Sequence, residues 1–162
     1  MKLVIGLGNP GKKYKNNRHN VGYMVIDQVK REELRTKNFK ALKSDKFMNN
    51  SGSFVKKLTT DYGLPTNDLY VVHDDLDIKL GSYKIQFGKG PKDHNGLKSI
   101  GLELGTSDYW HVRVGIENRN QERGIRKEGY EYVLEDFTAE EVGKVEQVVK
   151  EVVKDLCKRL EA

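Results

Sequence analysis

The chain has 162 residues, the length of one domain able to bury a core without staples. Its single cysteine, Cys157, excludes an internal disulfide framework and points to a reducing, cytoplasmic compartment, and no apolar run approaches the roughly 18 residues a membrane span needs. The net charge of +5 is divided unevenly: residues 1–60 hold fourteen Lys and Arg against four Asp and Glu, the remainder fifteen against twenty, so the first part is suited to a polyanionic partner.

The chain opens on Lys2–Gly8, a β-branched, apolar stretch closed by glycine, which reads as a buried strand and not as a cleavable leader. A polar Gly/Pro loop follows over residues 9–17. Val21, Met24, Val25, Val29 and Leu34 then recur mostly three to five apart, predicting a helix to about Arg35. Phe39–Leu42 is a short candidate strand. Ser51–Tyr62 reads as a helix stopped by Gly63, with Pro65 barring continuation. Leu69–His73 is a second buried strand, Ser82–Phe87 an alternating one, Leu97–Leu104 a short helix and Trp110–Ile116 another strand. Thr138-Ala139-Glu140-Glu141 is a capping box, opening a long helix with the stripe Val142, Val145, Val149, Val152, Val153, Leu156 and Leu160. Strands separated by helices, with no repeat or linker, predict a single α/β domain over 1–162. It would be a three-layer sandwich with a mixed, largely parallel twisted sheet flanked by helices. Ligands in such folds collect outside the carboxyl ends of the strands.

Gly6-Leu7-Gly8-Asn9-Pro10-Gly11 spells a dinucleotide fingerprint, but the mechanism needs a helix to begin inside the motif. Pro10 and the polar run to Asn17 intervene, and Asp27 falls within a helix, so a tight loop folding over a site is the better reading. Polar residues gather where strands end or helices begin: Asn9, Arg18-His19-Asn20, Met48-Asn49-Asn50, His73-Asp74-Asp75-Leu76-Asp77 and Asp93-His94-Asn95. Taken singly, each cluster suits turns and caps. Together they hold a base for water, a carboxylate to orient it and amides for an oxyanion. No Ser or Cys stands in a nucleophile elbow, which favours direct attack by water. The run at 73–77 alternates faces along a strand and is a poor metal-ligand set. His111 and Cys157 read as packing residues.

These motifs resemble, in order and across nearly the whole chain, those of the bacterial peptidyl-tRNA hydrolase family. The resemblance rests on Gly6–Gly11 with Tyr14 and Arg18-His19-Asn20-Val21-Gly22, on Phe47-Met48-Asn49-Asn50-Ser51-Gly52, on His73–Asp77 with Gly81, on His94-Asn95-Gly96-Leu97, and on Arg113-Val114-Gly115-Ile116. It implies a cofactor-free, metal-independent esterase that hydrolyses the bond between a peptide and the 3′ ribose of tRNA. By the same resemblance His19 is the general base and Asp74 holds its tautomer. Asn9 and Asn49 bond the peptide and the tRNA 3′ end, and Asn95 positions water or substrate. Tyr14 and Met48 line the cleft, His94 belongs to the substrate-binding set, and Arg113 meets a tRNA phosphate. The implied partner is peptidyl-tRNA, engaged at its acceptor stem and 3′ end by a cytoplasmic monomer with no membrane or obligate protein partner. A non-catalytic RNA-binding relative of the same fold is the alternative. The chain departs from the family's pattern in a shorter stretch between Leu34 and Phe47, in Lys92-Asp93 where a glycine pair is usual, in Gln86 at a customarily basic position, and in Glu117-Asn118-Arg119 after the Arg113 strand.

Overall fold

The computed structural model describes residues 1–32, 38–119 and 127–161. Five strands form one sheet: β1 (Lys2–Gly6), β2 (Phe39–Lys43), β3 (Leu69–Lys79), β4 (Tyr83–Phe87) and β5 (Trp110–Glu117). Their order is β2-β1-β3-β5-β4, with β4 antiparallel to β5 and every other pairing parallel. The helices are α1 (Val21–Arg31), α2 (Ser51–Asp61), α3 (Asn95–Leu104), α4 (Gly129–Tyr132) and α5 (Ala139–Glu161). This is the expected three-layer α/β arrangement.

Alternation along the strands separates two cores. Val4, Val72, Val112 and Val114 point to one face, where they meet Val25 and Val29 of α1 and Val149, Val152 and Leu156 of α5. Leu3, Ile5, Leu69 and Val71 point to the other, where they meet Val55 of α2 and Ile100 of α3. The chain passes from β1 to β2 on one side of the sheet and from β3 to β4 and β5 on the other, so β1 and β3 flank the switch point at which such sheets form a ligand crevice. Two glycines bring α1 hard against that crevice. A Cβ on Gly6 would sit 2.4 Å from the Gly22 carbonyl oxygen, and one on Gly22 would sit 2.5 Å from that of Val72.

Several boundaries differ from expectation for identifiable reasons. The first strand stops at Gly6, two residues early, where α1 crosses it. The third continues to Lys79 and not His73, because Asp74 and Asp75 find buried partners and need no turn. The helix expected from Leu97 begins at Asn95, capped by the His94 side chain. The Thr138 capping box forms: Thr138 N–H donates to Glu141 (2.9 Å) and Glu141 N–H to Thr138 Oγ1 (3.3 Å). On α5 Val142 is exposed and Val148 takes its place in the buried stripe. The expected end of α1 at Leu34–Arg35 lies outside the described residues.

Candidate active site

His19 sits in a short 3₁₀ turn, Arg18–Asn20, immediately before α1. The turn is held from outside by the segment after α4: Arg18 N–H donates to the Glu135 carbonyl (3.0 Å) and His19 N–H to that of Val133 (2.8 Å). The Arg18 side chain adds a buried anchor. Its Nη2 meets Glu141 at 2.8 Å, its Nη1 donates to the Tyr132 carbonyl at 3.1 Å, and its guanidinium lies 3.9 Å above the Tyr132 ring. On the other side, Asn20 Nδ2 donates to the Asn9 carbonyl (2.9 Å) and Asn9 N–H to Asn20 Oδ1 (2.8 Å). This reciprocal pair locks the loop after β1 to the turn that carries His19. Met48 N–H then donates to Asn9 Oδ1 (2.7 Å), which fixes the amide's orientation. Its Nδ2 donates to no protein acceptor among the described residues.

The centre of the site is Asp74, at the carboxyl end of the buried half of β3 and 2% exposed. His19 Nδ1 lies 2.9 and 2.8 Å from its two carboxylate oxygens, and His94 Nε2 lies 2.8 Å from Oδ1. Burial opposes ionisation of Asp74, but the two imidazoles outweigh it and hold its carboxyl well below the usual carboxylate range. Burial also works against a charged His19, yet the carboxylate more than compensates and raises its pKa above the ordinary 6.5. With Nδ1–H given to Asp74, the lone pair of neutral His19 resides on Nε2, the atom a general base needs.

His73, on β3 beside Asp74, is fully buried and pushed well below its ordinary value by desolvation and by its neighbours His94 and His111. Its Nδ1–H donates to the Asp74 carbonyl (2.9 Å) and its Nε2 has no partner among the described residues. All four histidines of the chain thus form one file, His19–His94–His73–His111, with ring centroids 5.0, 5.4 and 5.5 Å apart. His111 packs flat on Tyr109 at 4.3 Å, and Cys157 lies half-buried against the α1–α5 core, both as expected of packing residues.

The remaining expected residues surround this centre. Met48 is buried in the turn before α2, and Gly96 is what lets it approach α3, since a Cβ there would lie 2.5 Å from its sulfur. Asn49, in the same turn, and Asn95, the first residue of α3, are exposed. Tyr14 meets Phe47 edge-on at 6.2 Å, and Phe47 is 53% exposed, an aromatic rim beside exposed Lys12, Lys13, Lys15 and Lys46. Arg113 differs from expectation. It is buried on β5, with Nε on Asp75 (2.7 Å) and Nη1 on Gln86 (2.7 Å), and so presents no free cation at the surface. The 73–77 run disperses: Asp74 faces the histidines, Asp75 faces Arg113, and Asp77 accepts from Lys92 N–H at 2.8 Å. His19, Asp74 and His94 are the three donors among the described residues close enough to share a cation, within 4.8 Å. Their spacing is that of direct N–H···O hydrogen bonds, so the arrangement is organised for proton handling. A groove of about 690 Å³ between α1 and α5, floored by Met24, Phe137 and Val145, contains none of these groups.

The clusters had placed His19, Asn9 and Asp74, but three connections lay beyond the sequence: Asn20 as the partner of Asn9, Glu141 as the partner of Arg18, and His94 on Asp74. Asn20 stands beside His19 in the motif, a usable signal. The other two join residues distant in the chain.

Comparison with known proteins identifies the family. A profile of the peptidyl-tRNA hydrolase family matches residues 3–161. The chain is 37% identical to the peptidyl-tRNA hydrolase of Bacillus subtilis, with 95% of this chain and 89% of that protein aligned. It is 36% identical to that of Aquifex aeolicus, with 99% and 91% aligned. A mutant peptidyl-tRNA hydrolase from Acinetobacter baumannii shares the fold at a TM-score of 0.79 and 24% identity, over 99% of this chain and 92% of that one. An Escherichia coli endopeptidase with 11% identity shares it more loosely, at 0.53 over 96% and 90%. The fold alone therefore does not select a reaction. The family profile and the level of identity do: this chain belongs to the peptidyl-tRNA hydrolase family.

Proposed function

We propose that the protein hydrolyses the ester between the peptide and the 3′ ribose of tRNA in peptidyl-tRNA, and that His19 and Asp74 carry the chemistry. The observation behind this reading is the buried His19–Asp74 pair, which leaves His19 Nε2 available. Water held by Nε2 gives up a proton and attacks the ester carbonyl carbon. The charge arriving on the carbonyl oxygen is met by amide donors, with Asn9 Nδ2 the one whose orientation is already set. Collapse of the tetrahedral species breaks the bond to the ribose 3′ oxygen, which takes the proton back from the His19 imidazolium. The products are a free tRNA 3′ hydroxyl and a peptide carboxylic acid, which loses its proton to solvent to become the carboxylate. Asp74 stays ionised throughout and stabilises the imidazolium.

Asn49 and Asn95 border the cleft and would bond the peptide and the CCA end. Met48 and Tyr14 would line it. Exposed Lys12, Lys13, Lys15 and Lys46 would receive the acceptor stem as a monomer binds it in the cytoplasm. With two of its nitrogens committed to Asp75 and Gln86, Arg113 would reach a phosphate only through Nη2, beside exposed Lys84. The test is peptide release from a purified peptidyl-tRNA in the presence of EDTA. His19→Ala should lower turnover by about 10²–10⁴-fold while tRNA binding survives. Wild-type protein that binds the substrate and never releases peptide would refute the proposal.

A further inference from the structure

His94 has both ring nitrogens engaged by the protein. Leu97 N–H can only donate, so at 3.2 Å it requires an unprotonated His94 Nδ1. The ring proton therefore sits on Nε2, where it donates to Asp74 Oδ1 at 2.8 Å. The ring is 7% exposed and wedged between His19, at 5.0 Å, and His73, edge-on at 5.4 Å. No hydrogen-bonding atom remains for a ligand.

We infer that His94 is a positioning residue acting through Asp74 and not a substrate contact. This rests on the reading of His19 as the base. The torsion that swings a carboxylate about its last bond is broad and gives little orientation by itself. His19 Nδ1 lies almost equally far from both oxygens, 2.9 and 2.8 Å, and so selects neither strongly. The His94 bond to Oδ1 removes that freedom and fixes the plane in which the His19 imidazole is held. It also supplies a second donor to a buried carboxylate that would otherwise be under-solvated. Through Nδ1 the same ring caps α3, whose first residue is Asn95. One side chain thus sets the plane of the Asp74 carboxylate and the start of the helix presenting Asn95.

Two substitutions separate these tasks. His94→Asn keeps an acceptor for the Leu97 N–H, since Asn is among the best N-caps, but is too short to reach Asp74. His94→Gln extends an amide N–H to Asp74 and gives up the cap. Partners that orient a functional group from behind contribute about 10–100-fold. The Asn variant should therefore lose about that much kcat with KM unchanged. The Gln variant should recover most of kcat while melting at a lower temperature. A raised KM with wild-type kcat in His94→Asn would make His94 a substrate contact and overturn the inference. Equal loss of kcat in both variants would reduce it to a helix cap, with the same consequence. Nitrogen-15 NMR of the free wild-type protein reads the tautomer without any turnover. The proton is expected on His94 Nε2, and a proton on Nδ1 refutes the assignment. Failure of the wild-type protein to release peptide would instead refute the hydrolase reading, leaving the tautomer result intact.

Discussion

Removing the Glu141 carboxylate should destabilise this protein about as much as truncating a buried leucine of α5. Glu141 is 4% exposed and serves three donors: Arg18 Nη2 at 2.8 Å, Asn118 Nδ2 at 3.0 Å and the Thr138 N–H at 2.9 Å. Glu141→Ala leaves the buried Arg18 guanidinium with the Tyr132 carbonyl and ring and with no other ion pair among the described residues. Breaking a buried pair in this way costs about 3–5 kcal/mol, and the lost capping bond is the smaller effect, at most about 2 kcal/mol. Taking about 4 kcal/mol, and about 2–4 °C per kcal/mol for a domain of this size, the melting temperature should fall by about 8–16 °C. Arg18→Met should cost less, because the carboxylate keeps its Thr138 and Asn118 donors.

Thermal and urea unfolding followed by circular dichroism measure each effect, and the double variant Arg18→Met/Glu141→Leu closes the cycle. Apolar replacement of both members of a buried pair is often neutral, so the double variant should be distinctly more stable than the sum of the singles. The pH dependence carries a sign. Burial raises the Glu141 pKa, but bonds from Thr138, Asn118 and Arg18 outweigh it and leave it below the ordinary 4.5. Its stabilisation is therefore present above that value and fades as pH falls through the lowered one. Glu141→Ala should lack that component of acid sensitivity. A cost under about 1 kcal/mol, or strictly additive singles, would show that the Arg18–Glu141 pair does not anchor the turn bearing His19.

Asp74→Asn should retain the fold and lose roughly 10⁴-fold in kcat, because an amide can stabilise the wrong His19 tautomer; a loss near tenfold would contradict the orienting role. The acid limb of kcat/KM should have its midpoint above 6.5, since His19 must be neutral to take a proton and Asp74 raises its pKa. A midpoint below 6.5 would mean that burial, not the carboxylate, dominates at His19. Gly22→Ala should destabilise the protein by about 1–3 kcal/mol, measured by urea unfolding, because its Cβ would press on the Val72 and Leu7 carbonyl oxygens at 2.5 and 2.6 Å. Cys157 should react with a thiol reagent only as the protein unfolds. Burial pushes its thiol up to about 11, so only about one part in 10⁴ is thiolate at neutral pH.

What was legible in the sequence and what was not divide by range. β1, α2, β5 and α5 follow from periodicity and punctuation within windows of a dozen residues, and the structure returns them to within one or two positions, apart from the strand end at Gly6. The misreadings occur where a distant side chain overrides the local signal. His73-Asp74-Asp75-Leu76-Asp77 reads as the end of a strand, because neighbouring carboxylates favour turns. The strand nevertheless runs on for six residues, since His19 comes 55 positions earlier to meet Asp74 and Arg113 comes 38 positions later to meet Asp75. Val142 reads as core because it obeys the helical repeat, but it stands over an open groove while its neighbour Glu141 turns inward to Arg18, 123 positions away. Glu141 was recognisable as a capping residue, and its second use was invisible, since one residue type satisfies both demands.

The same division explains why the proposed catalytic pair was easier to find than its supports. Histidine is scarce, with four in the chain, so a histidine in a polar turn and a buried carboxylate to face it have a chemistry that limits what they can be doing. Asn20, Arg18 and His94 use ordinary polar groups whose task is defined only by the partner. In the folded chain those partners converge on Asp74 and on the turn before α1. Two structural facts make this convergence possible. Pairing of β1 with β3 sets Gly6 beside Val72, two residues before Asp74, and Gly6 and Gly22 allow α1 to start directly above them. A bulkier residue at either glycine would lift the His19 turn from Asp74 while leaving every residue of the proposed catalytic set unchanged. The role proposed for His19 therefore depends as much on backbone contact between β1, β3 and α1 as on the histidine–carboxylate pair itself.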